Sequence, residues 1–385
     1  MNSSKAFATI GLGLLVCTLA ASPGETAMVL PGAQGIVKLP DRLVRPIAIF
    51  GKDERVRVPR KYQTVSDGIG LIHDISRNIG CTAFCVGADV IATNAHCIVR
   101  TPGRRRKADL SKVYFLLLPK SARKGRRDSG LVFVAKDQPL LSIYADYYRG
   151  GGSVVSFTKD WAFAKLSHSV CRGHELEFAS PSQKDVNKAA KRGSLFLIGY
   201  HGDKSVEDKW LSPACGIRST SSRRYFLSSQ RRALKSRGTV LPHTCDTKKG
   251  SSGAPVLMQT ASGPRVIAIN AGTTGYALYR RVRGSRRKRN VYTRSSNVAV
   301  LTSAFIRGLE RFKAEHLLTD LDDLTRLQTV LKASGHYKAS VDGVFGRGTR
   351  GAILKFEKEN GLAPLGMPTR ELLERIEASY NKPGD

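Results

Sequence analysis

Three segments of the chain carry side chains whose chemistry could combine in one reaction. A strand-like run ends in His96, Asp160 opens a short apolar stretch, and Ser252 lies in the turn Gly250-Ser251-Ser252-Gly253. A serine hydroxyl is a weak nucleophile at neutral pH, so it needs an adjacent base, usually histidine, which a third polar group must orient. These residue types predict a nucleophile, Ser252, a base, His96, and an orienting carboxylate, Asp160.

The glycines around Ser252 add a second chemical feature. Gly250 lets the backbone turn so that the N–H groups of Gly250 and Ser252 converge on one point. Such donors stabilise the oxyanion that develops in acyl transfer, and each is typically worth about 3–4 kcal/mol. Taken singly, the segments also have ordinary explanations: a loop histidine, a flexible turn and a strand-capping aspartate. The three together, in this order, favour the catalytic interpretation.

The elements that must position these residues are mainly strands. The chain has 385 residues, 41% of them hydrophobic, which excludes a wholly disordered protein and fits two or three domains. Short β-branched and apolar runs between Gly, Pro and Ser clusters predict an all-β barrel or sandwich, followed by one helix over 303–316. The runs are 89–93, 113–118, 194–200 and 265–270.

The amino-terminal segment has the layout of a secretory signal peptide. Lys5 is followed by an apolar stretch, Ala6 to Ala21, and then by small residues suited to cleavage. We expect a signal peptide over 1–21 and a pro-segment or linker over 22–45. A buried helix or membrane anchor is the alternative, whereas Val16 disfavours lipidation at Cys17. The protein is thus expected to be secreted or periplasmic, with no transmembrane segment after signal removal, because no apolar run reaches the roughly 20 residues that span a bilayer.

The cysteine count supports export. The chain has seven cysteines, and removing Cys17 with the leader leaves six. An even number in an exported chain predicts three disulfides. The absence of a paired CxxC spacing argues against zinc, and we expect no metal and no cofactor.

The charge distribution divides the chain. Lys and Arg number 63 against 31 Asp and Glu, a formal net charge of +32, but the segment from Leu318 onward is neutral, with ten basic and ten acidic residues. This change in composition predicts a domain boundary near 314–322. Three apolar stripes then predict a three-helix domain. They are Leu321, Leu324, Leu327, Val330 and Leu331; Ala352, Ile353 and Phe356; and Leu372, Leu373 and Ile376.

The basic residues occur in runs between the strand signals, where we expect loops. The runs are Arg104–Lys107, Arg123–Arg127, Arg231–Arg237 and Arg280–Arg289. They lack interleaved aromatic residues and a known recognition module, so nucleic acid is not an expected partner. Contact with anionic surface polymers or acidic substrates, and simple solvation of loops, both stay open.

The segments around His96, Asp160 and Ser252 resemble the chymotrypsin-like (trypsin-like) serine peptidases, and more closely their bacterial, glutamyl-endopeptidase-like branch. Residues 49–55 look like the start of that catalytic domain and 297–300 like its end, so the resemblance covers about 46–316. It implies a double antiparallel β-barrel, a catalytic triad, and oxyanion donors at Gly250 and Ser252. It also implies the disulfide Cys81–Cys97. For the remaining cysteines we expect Cys85–Cys171 and Cys215–Cys245.

Two positions depart from that family's pattern. Ser251 stands where animal members carry an aspartate that pairs with a new amino terminus, so that activation switch is absent. Asn270 stands where glutamate-cleaving members carry a histidine in the pocket, which disfavours cleavage after Glu. Asp246, six positions before the nucleophile, is a candidate for the pocket base and favours cleavage after Arg or Lys. The alternatives are that Asp246 caps its turn, or that Lys248 and Lys249 recruit acidic substrates.

The last segment resembles the small peptidoglycan-binding domain of bacterial cell-wall proteins. The resemblance rests on the run from Val341 to Ala352 and on the flanking Leu327-Gln328 and Asn360-Gly361-Leu362. We expect Phe345 and Phe356 to lie in its core and Glu357, where Gln is usual, on its surface. The resemblance implies peptidoglycan or another wall polymer as a partner over 318–385.

The sequence therefore predicts an exported serine endopeptidase held near the cell wall, with a protein or peptide as substrate. The alternative is a catalytically inactive wall-binding or adhesive protein that uses a peptidase-like fold. All three triad residues are present, which favours the enzyme.

Overall fold

A computed structural model provides the coordinates. It describes residues 27–29, 36–38, 49–74, 78–98, 113–117, 128–131, 143–145, 157–166, 169–205, 208–226, 228–281 and 288–380. The predicted signal peptide, most of the predicted pro-segment and the basic runs at 104–107 and 123–127 lie outside these residues, apart from two short strands in 22–45. None of the described helices combines the length and apolar content needed to cross a bilayer.

The described residues form sixteen strands and eight α-helices. The strands are β1 Ala27–Val29, β2 Ile36–Lys38, β3 Val56–Arg57, β4 Ile69–Asp74, β5 Ile79–Gly87, β6 Val90–Thr93, β7 Val113–Leu117, β8 Asp128–Leu131, β9 Ile143–Ala145, β10 Ala162–Lys165, β11 Leu195–Gly199, β12 Trp210–Ser212, β13 Val240–His243, β14 Pro255–Thr260, β15 Gly263–Arg281 and β16 Lys288–Leu301. The helices are α1 Gln63–Asp67, α2 Ala95–Ile98, α3 Gln183–Lys191, α4 Ser228–Arg237, α5 Ile306–Ala314, α6 Leu321–Ala333, α7 Arg347–Glu359 and α8 Arg370–Tyr380.

Two seven-stranded sheets dominate the fold, in the orders β8-β7-β4-β5-β6-β10-β9 and β13-β16-β15-β14-β11-β12-β3. Every strand pairing within them is antiparallel. All residues of β4, β6 and β11 are buried, as expected for strands covered on both faces. The architecture confirms the predicted mainly-β class, with two antiparallel sheets and carboxy-terminal helices.

The predicted loops are wrong for the run 231–237 and for the two ends of the run 280–289, whose residues 282–287 lie outside the described part of the chain. Residues 231–237 belong to the helix α4, because Arg, Lys, Ala, Leu and Gln have high helix propensity and neither Gly nor Pro interrupts the run. Arg280 and Arg289 form a cross-strand pair in the β15–β16 hairpin. The pairing of β15 with β16 continues from the buried part of the sheet to the basic ends of both strands.

Helices α6, α7 and α8 form the predicted three-helix unit. Leu324, Leu327 and Leu331 are fully buried, and Phe345 and Phe356 lie in the core as expected. Leu321 differs from its predicted place in the first stripe because it is 59% exposed. It is the first residue of α6, directly after the helix cap at Asp320.

This unit packs directly against the two large sheets, and one apolar cluster runs through both. The Tyr144 hydroxyl donates to the Pro364 carbonyl (3.0 Å), and Arg350 donates to the Ala145 carbonyl (2.6 Å). A Cβ on Gly308 of α5 would lie 1.9 Å from the Tyr144 hydroxyl, so the close approach of α5 to β9 requires a glycine there.

The expected surface position of Glu357 is wrong. Its side chain is fully buried, and its carboxylate accepts from Arg311 (2.7 Å) and from the N–H groups of Leu365 and Gly366 (2.9 Å each). Arg311 of α5 and the backbone that follows α7 therefore enclose a position that the sequence predicts to be on the surface.

Candidate active site

His96 and Asp160 meet where two neighbouring strands end. Strand β6 ends at Thr93 and the single turn α2 carries His96; β10 pairs antiparallel with β6 and is preceded by Asp160. The Asp160 carboxylate accepts from His96 Nδ1 (2.7 Å) and from the His96 backbone N–H (3.0 Å). An ionised carboxylate only accepts hydrogen bonds, so Nδ1 carries the proton and Nε2 is the basic nitrogen.

Burial and a hydrogen bond to the backbone fix Asp160 beneath His96. Asp160 is fully buried, whereas the His96 side chain is 24% exposed. The Asn94 amide donates to the Asp160 carbonyl (2.6 Å) and fixes the backbone just before β10. The orienting group is therefore enclosed, and the base lies at the surface.

Ser252 lies in a turn that glycine conformations make possible. Gly250 and Gly253 have φ of +95° and +84°, values that favour glycine. A Cβ on Gly253 would come within 2.0 Å of the Thr82 carbonyl oxygen. The turn can pack this closely against β5 only because residue 253 lacks a side chain.

Thr82 brings Ser252 towards His96. Its N–H donates to the Ser252 carbonyl (2.8 Å), and its hydroxyl donates to the Gly250 carbonyl (2.8 Å). Thr82 belongs to the first sheet and the serine turn to the second. The neighbouring Cys81 forms a disulfide with Cys97, which follows His96. These links place the nucleophile candidate and the base candidate at the same junction between the sheets.

The N–H groups of Gly250 and Ser252, the predicted oxyanion donors, lie in this turn. The Lys249 carbonyl accepts from the Gly202 N–H (2.6 Å). Because the peptide bond is trans, its N–H, on Gly250, points the opposite way. Within the described part of the chain, the N–H groups of Gly250 and Ser252 have no hydrogen-bond acceptor. Both are available to a substrate oxygen.

Ser251 and Asn270 support the turn from the second sheet. Ser251 is buried, and its hydroxyl donates to the Lys248 carbonyl (2.7 Å), while the Asn270 amide donates to the Ser251 carbonyl (2.7 Å). Asn270 Oδ1 lies 3.2 Å from His243 Nε2, and the Cys245 N–H donates to His243 Nδ1 (3.2 Å). Burial lowers the pKa of His243 to about 4, so it stays neutral at physiological pH. The substrate-binding role of Asn270 stays a prediction; its amide is engaged with the turn.

Asp246 faces the amino-terminal segment of the domain. It is buried, and its two carboxylate oxygens accept from the N–H groups of Phe50 (2.9 Å) and Glu54 (3.0 Å). Its own N–H donates to the Ser212 hydroxyl (2.7 Å). The carboxylate therefore binds the amino-terminal segment rather than its own turn, and these backbone donors already satisfy the charge that a basic substrate would have to pair with. The role of Asp246 at the pocket base stays a prediction.

Six cysteines form the three expected disulfides: Cys81–Cys97, Cys85–Cys171 and Cys215–Cys245. Ligand atoms of Cys81, His96 and Cys97 lie within 4.8 Å of one another. Metal ligation by cysteine requires thiolates, and these two sulfurs are bonded to each other. The cluster reflects the packing of the disulfide beside His96.

Several supporting residues were not predicted from the sequence. Thr82 and Gly202 carry no sequence signal, because their roles depend on tertiary contacts. Thr82 contacts Gly250, which lies 168 residues away, and Gly202 contacts Lys249 in a distant loop. Arg55 lies in the segment that resembles the start of the catalytic domain, but its partners Asp53 and Asp203 appear only in the fold.

Comparisons with known proteins agree with the two parts of this architecture. Residues 81–269 match the family model for the trypsin-like peptidase domain, and residues 320–376 match the model for a putative peptidoglycan binding domain. A solved structure described as Glu endopeptidase in complex with MPD is similar at 17% identity and a TM-score of 0.45, over 70% of this chain and 100% of that chain. No curated protein matches significantly. The chain thus carries a trypsin-like peptidase domain followed by a peptidoglycan-binding domain.

Proposed function

We propose that the protein is an exported serine endopeptidase that hydrolyses peptide bonds through an acyl-enzyme and is localised to the cell wall by its carboxy-terminal domain. The observation that carries the proposal is the 2.7 Å pair of His96 and Asp160 at the junction that also holds the Ser252 turn. The trypsin-like domain and the disulfides support a peptidase that works outside the cytoplasm.

The proposed chemistry assigns one role to each of the three residues. Ser252 Oγ attacks the scissile carbonyl while His96 Nε2 takes its proton, and Asp160 stabilises the resulting imidazolium without itself being protonated. The N–H groups of Gly250 and Ser252 bind the oxyanion. His96 then protonates the leaving amine, the acyl-enzyme forms, and water activated by His96 hydrolyses it.

The domain allocation follows the same proposal. Residues 1–21 serve as the signal peptide, 22–45 as a pro-segment or linker, 46–316 as the peptidase and 318–385 as the wall-binding domain. The substrate is a protein or peptide, and the wall partner is peptidoglycan, as the carboxy-terminal domain implies.

Labelling with a fluorophosphonate probe tests the catalytic proposal. We expect the wild-type protein to be labelled and to hydrolyse casein, and Ser252→Ala to do neither while keeping its fold. Ser262→Ala is the matched control, because Ser262 is exposed in the turn between β14 and β15. Ser252→Ala and His96→Ala should each lower turnover by about 10⁴-fold or more, and the double variant by little more. A folded wild-type protein that is neither labelled nor active would instead establish the inactive wall-binding alternative.

A further inference from the structure

Arg55 forms an ion-pair cluster that the proposed reaction does not use directly. Its side chain is fully buried, although both of its partners are exposed by 38–41%. It donates to Asp53 through Nε (2.9 Å) and Nη2 (2.7 Å), and to Asp203 through Nη1 (2.9 Å) and Nη2 (2.6 Å). A planar guanidinium fits two carboxylates in this way, whereas an ammonium does not.

The charges in this cluster are consistent with tight pairing. Hydrogen bonds from Arg55 lower the pKa of Asp53 despite its burial, and they outweigh the burial that would raise the pKa of Asp203. Burial and the charge of Arg55 lower the pKa of the neighbouring His201 to about 3. His201 is therefore neutral and does not compete with Arg55 for the carboxylates.

Arg55 ends a short segment that we call the strap, residues 50–55. The strap is fixed near both of its ends by Asp246, which accepts the N–H groups of Phe50 and Glu54. It is fixed at its end by the pairing of Arg55 with Asp203. Asp246 lies in the segment that leads into the serine turn, and Asp203 lies in the loop that contacts this turn.

The second anchor leads directly to the oxyanion donor. Asp203 follows Gly202, whose N–H holds the Lys249 carbonyl (2.6 Å). That carbonyl sets the direction of the peptide whose N–H belongs to Gly250. Asp246 begins the same turn four residues before Gly250. The strap thus fixes the turn at Asp246 and, through the 202–203 loop, at Lys249.

We propose that Arg55 is a positioning residue for the oxyanion hole: by holding Asp203, it keeps the Gly202 N–H on the Lys249 carbonyl and the Gly250 N–H directed at the reacting carbonyl. The inference rests on the proposed peptidase function. It also accounts for Ser251, which offers no carboxylate to a new amino terminus, so the turn needs a support of another kind.

The test compares a buried pair with an exposed one. Arg55→Met removes the buried fork and Arg55→Lys keeps its charge without the fork. Arg57→Met is the matched control, because Arg57 is 71% exposed and pairs with Asp208 at 3.2 Å. For each variant, kcat and KM on a short peptide are measured, with binding of a peptide aldehyde, which forms an oxyanion adduct, and of the same peptide as a plain competitor.

Loss of one oxyanion donor costs about 10²–10³ in kcat, so Arg55→Met should lower kcat by roughly 10-fold to 10³-fold with KM within about threefold. Aldehyde binding should weaken by a similar factor while the plain peptide binds as before. Arg55→Lys should lie between Arg55→Met and wild type, and Arg57→Met should match wild type.

The proposal is overturned if Arg55→Met and Arg55→Lys are folded and match Arg57→Met in kcat, or if aldehyde and plain peptide lose affinity equally. Should Arg55→Met fail to fold, Arg55→Lys and Asp203→Asn carry the same comparison. Failure of the proposed function is a separate result, because the wild-type protein would then not react with the fluorophosphonate probe.

Discussion

The ion pair between Arg311 and Glu357 joins helix α5 to the carboxy-terminal domain. Its loss should loosen the docking of that domain against the sheets. Arg311 donates to Glu357 at 2.7 Å and to Glu315 at 2.6 and 2.8 Å. Burial opposes the charge of Arg311, but its hydrogen bonds to Glu315 and Glu357 raise its pKa overall. Glu357 is fully enclosed, so Arg311→Met would leave a carboxylate in a site that water does not reach.

The structure sets the order of the expected losses. Removing one partner of a buried pair costs about 3–5 kcal/mol, and the N–H groups that still bind Glu357 place Arg311→Met near the lower end. Glu357→Gln can still accept those N–H groups and loses one charge-assisted bond, at about 1.5–3 kcal/mol. The double variant removes the unpaired carboxylate at position 357, while Glu315 keeps its hydrogen bond from the Thr369 hydroxyl (2.6 Å). It should therefore cost less than the sum of the two.

Urea unfolding followed by tryptophan fluorescence measures these losses. Trp161 is a suitable reporter because its ring lies 4.9 Å from that of Tyr144, which contacts the carboxy-terminal domain. Arg326→Met is the control, since Arg326 pairs with Glu377 at 2.6 Å while 63% exposed, and exposed pairs contribute at most about 1 kcal/mol. If Arg311→Met loses no more stability than Arg326→Met, the buried pair does not hold the domains together.

Four further expectations follow from the contacts around the site. Gly253→Ala should abolish probe labelling and lower Tm strongly, because its Cβ would lie 2.0 Å from a backbone oxygen of β5. Gly263→Ala, at φ of +102° with open space around it, should cost only about 1–2 kcal/mol. Equal losses of stability in the two variants would contradict the clash. Asp246→Asn should lower kcat/KM equally for Arg and neutral substrates; a loss confined to Arg substrates would restore its role as the pocket base. Burial lowers the pKa of His243 in the folded protein to about 4, from an ordinary value of 6.5. Neutral His243 therefore contributes about 3 kcal/mol of stability above pH 6.5, and this contribution is lost as the pH falls towards about 4. If His243→Gln leaves the pH dependence of the unfolding free energy unchanged, this expectation is refuted. Deleting 318–385 should lower both Tm and turnover of a short peptide, because it uncovers the strand beside Asp160; full activity of the truncated chain would show that docking is dispensable.

Local patterns in the sequence carried much of the fold. The short β-branched and apolar runs predicted strands that the structure has at 90–93, 113–117 and 195–199, since burial of both faces favours uninterrupted apolar residues there. The three stripes of the last segment gave α6, α7 and α8 for the corresponding reason at helical period. The pairing of Cys81 with Cys97 followed from the family resemblance, whereas no pattern in the sequence determined the other two pairs.

The orientation of single polar side chains was beyond such patterns. Asp246 has the same sequence context whether it faces a substrate pocket or the N–H groups of Phe50 and Glu54, and only tertiary structure decides between them. Glu357 looks like a solvated helix residue until Arg311 of α5 and the backbone that follows α7 enclose it. Burial of this kind arises from contacts between segments far apart in sequence, which no local period encodes.

The serine turn is held from three directions, and this explains why an uncharged residue suffices at Ser251. Thr82 of the first sheet binds the carbonyls of Ser252 and Gly250. Asn270 of the second sheet binds Ser251. The strap holds the start of the turn through Asp246. Each contact uses groups present in the uncut chain, so the geometry of the turn requires no amino group released by cleavage. A turn supported in this way is set by folding itself, and any control over the peptidase must act elsewhere than at Ser251.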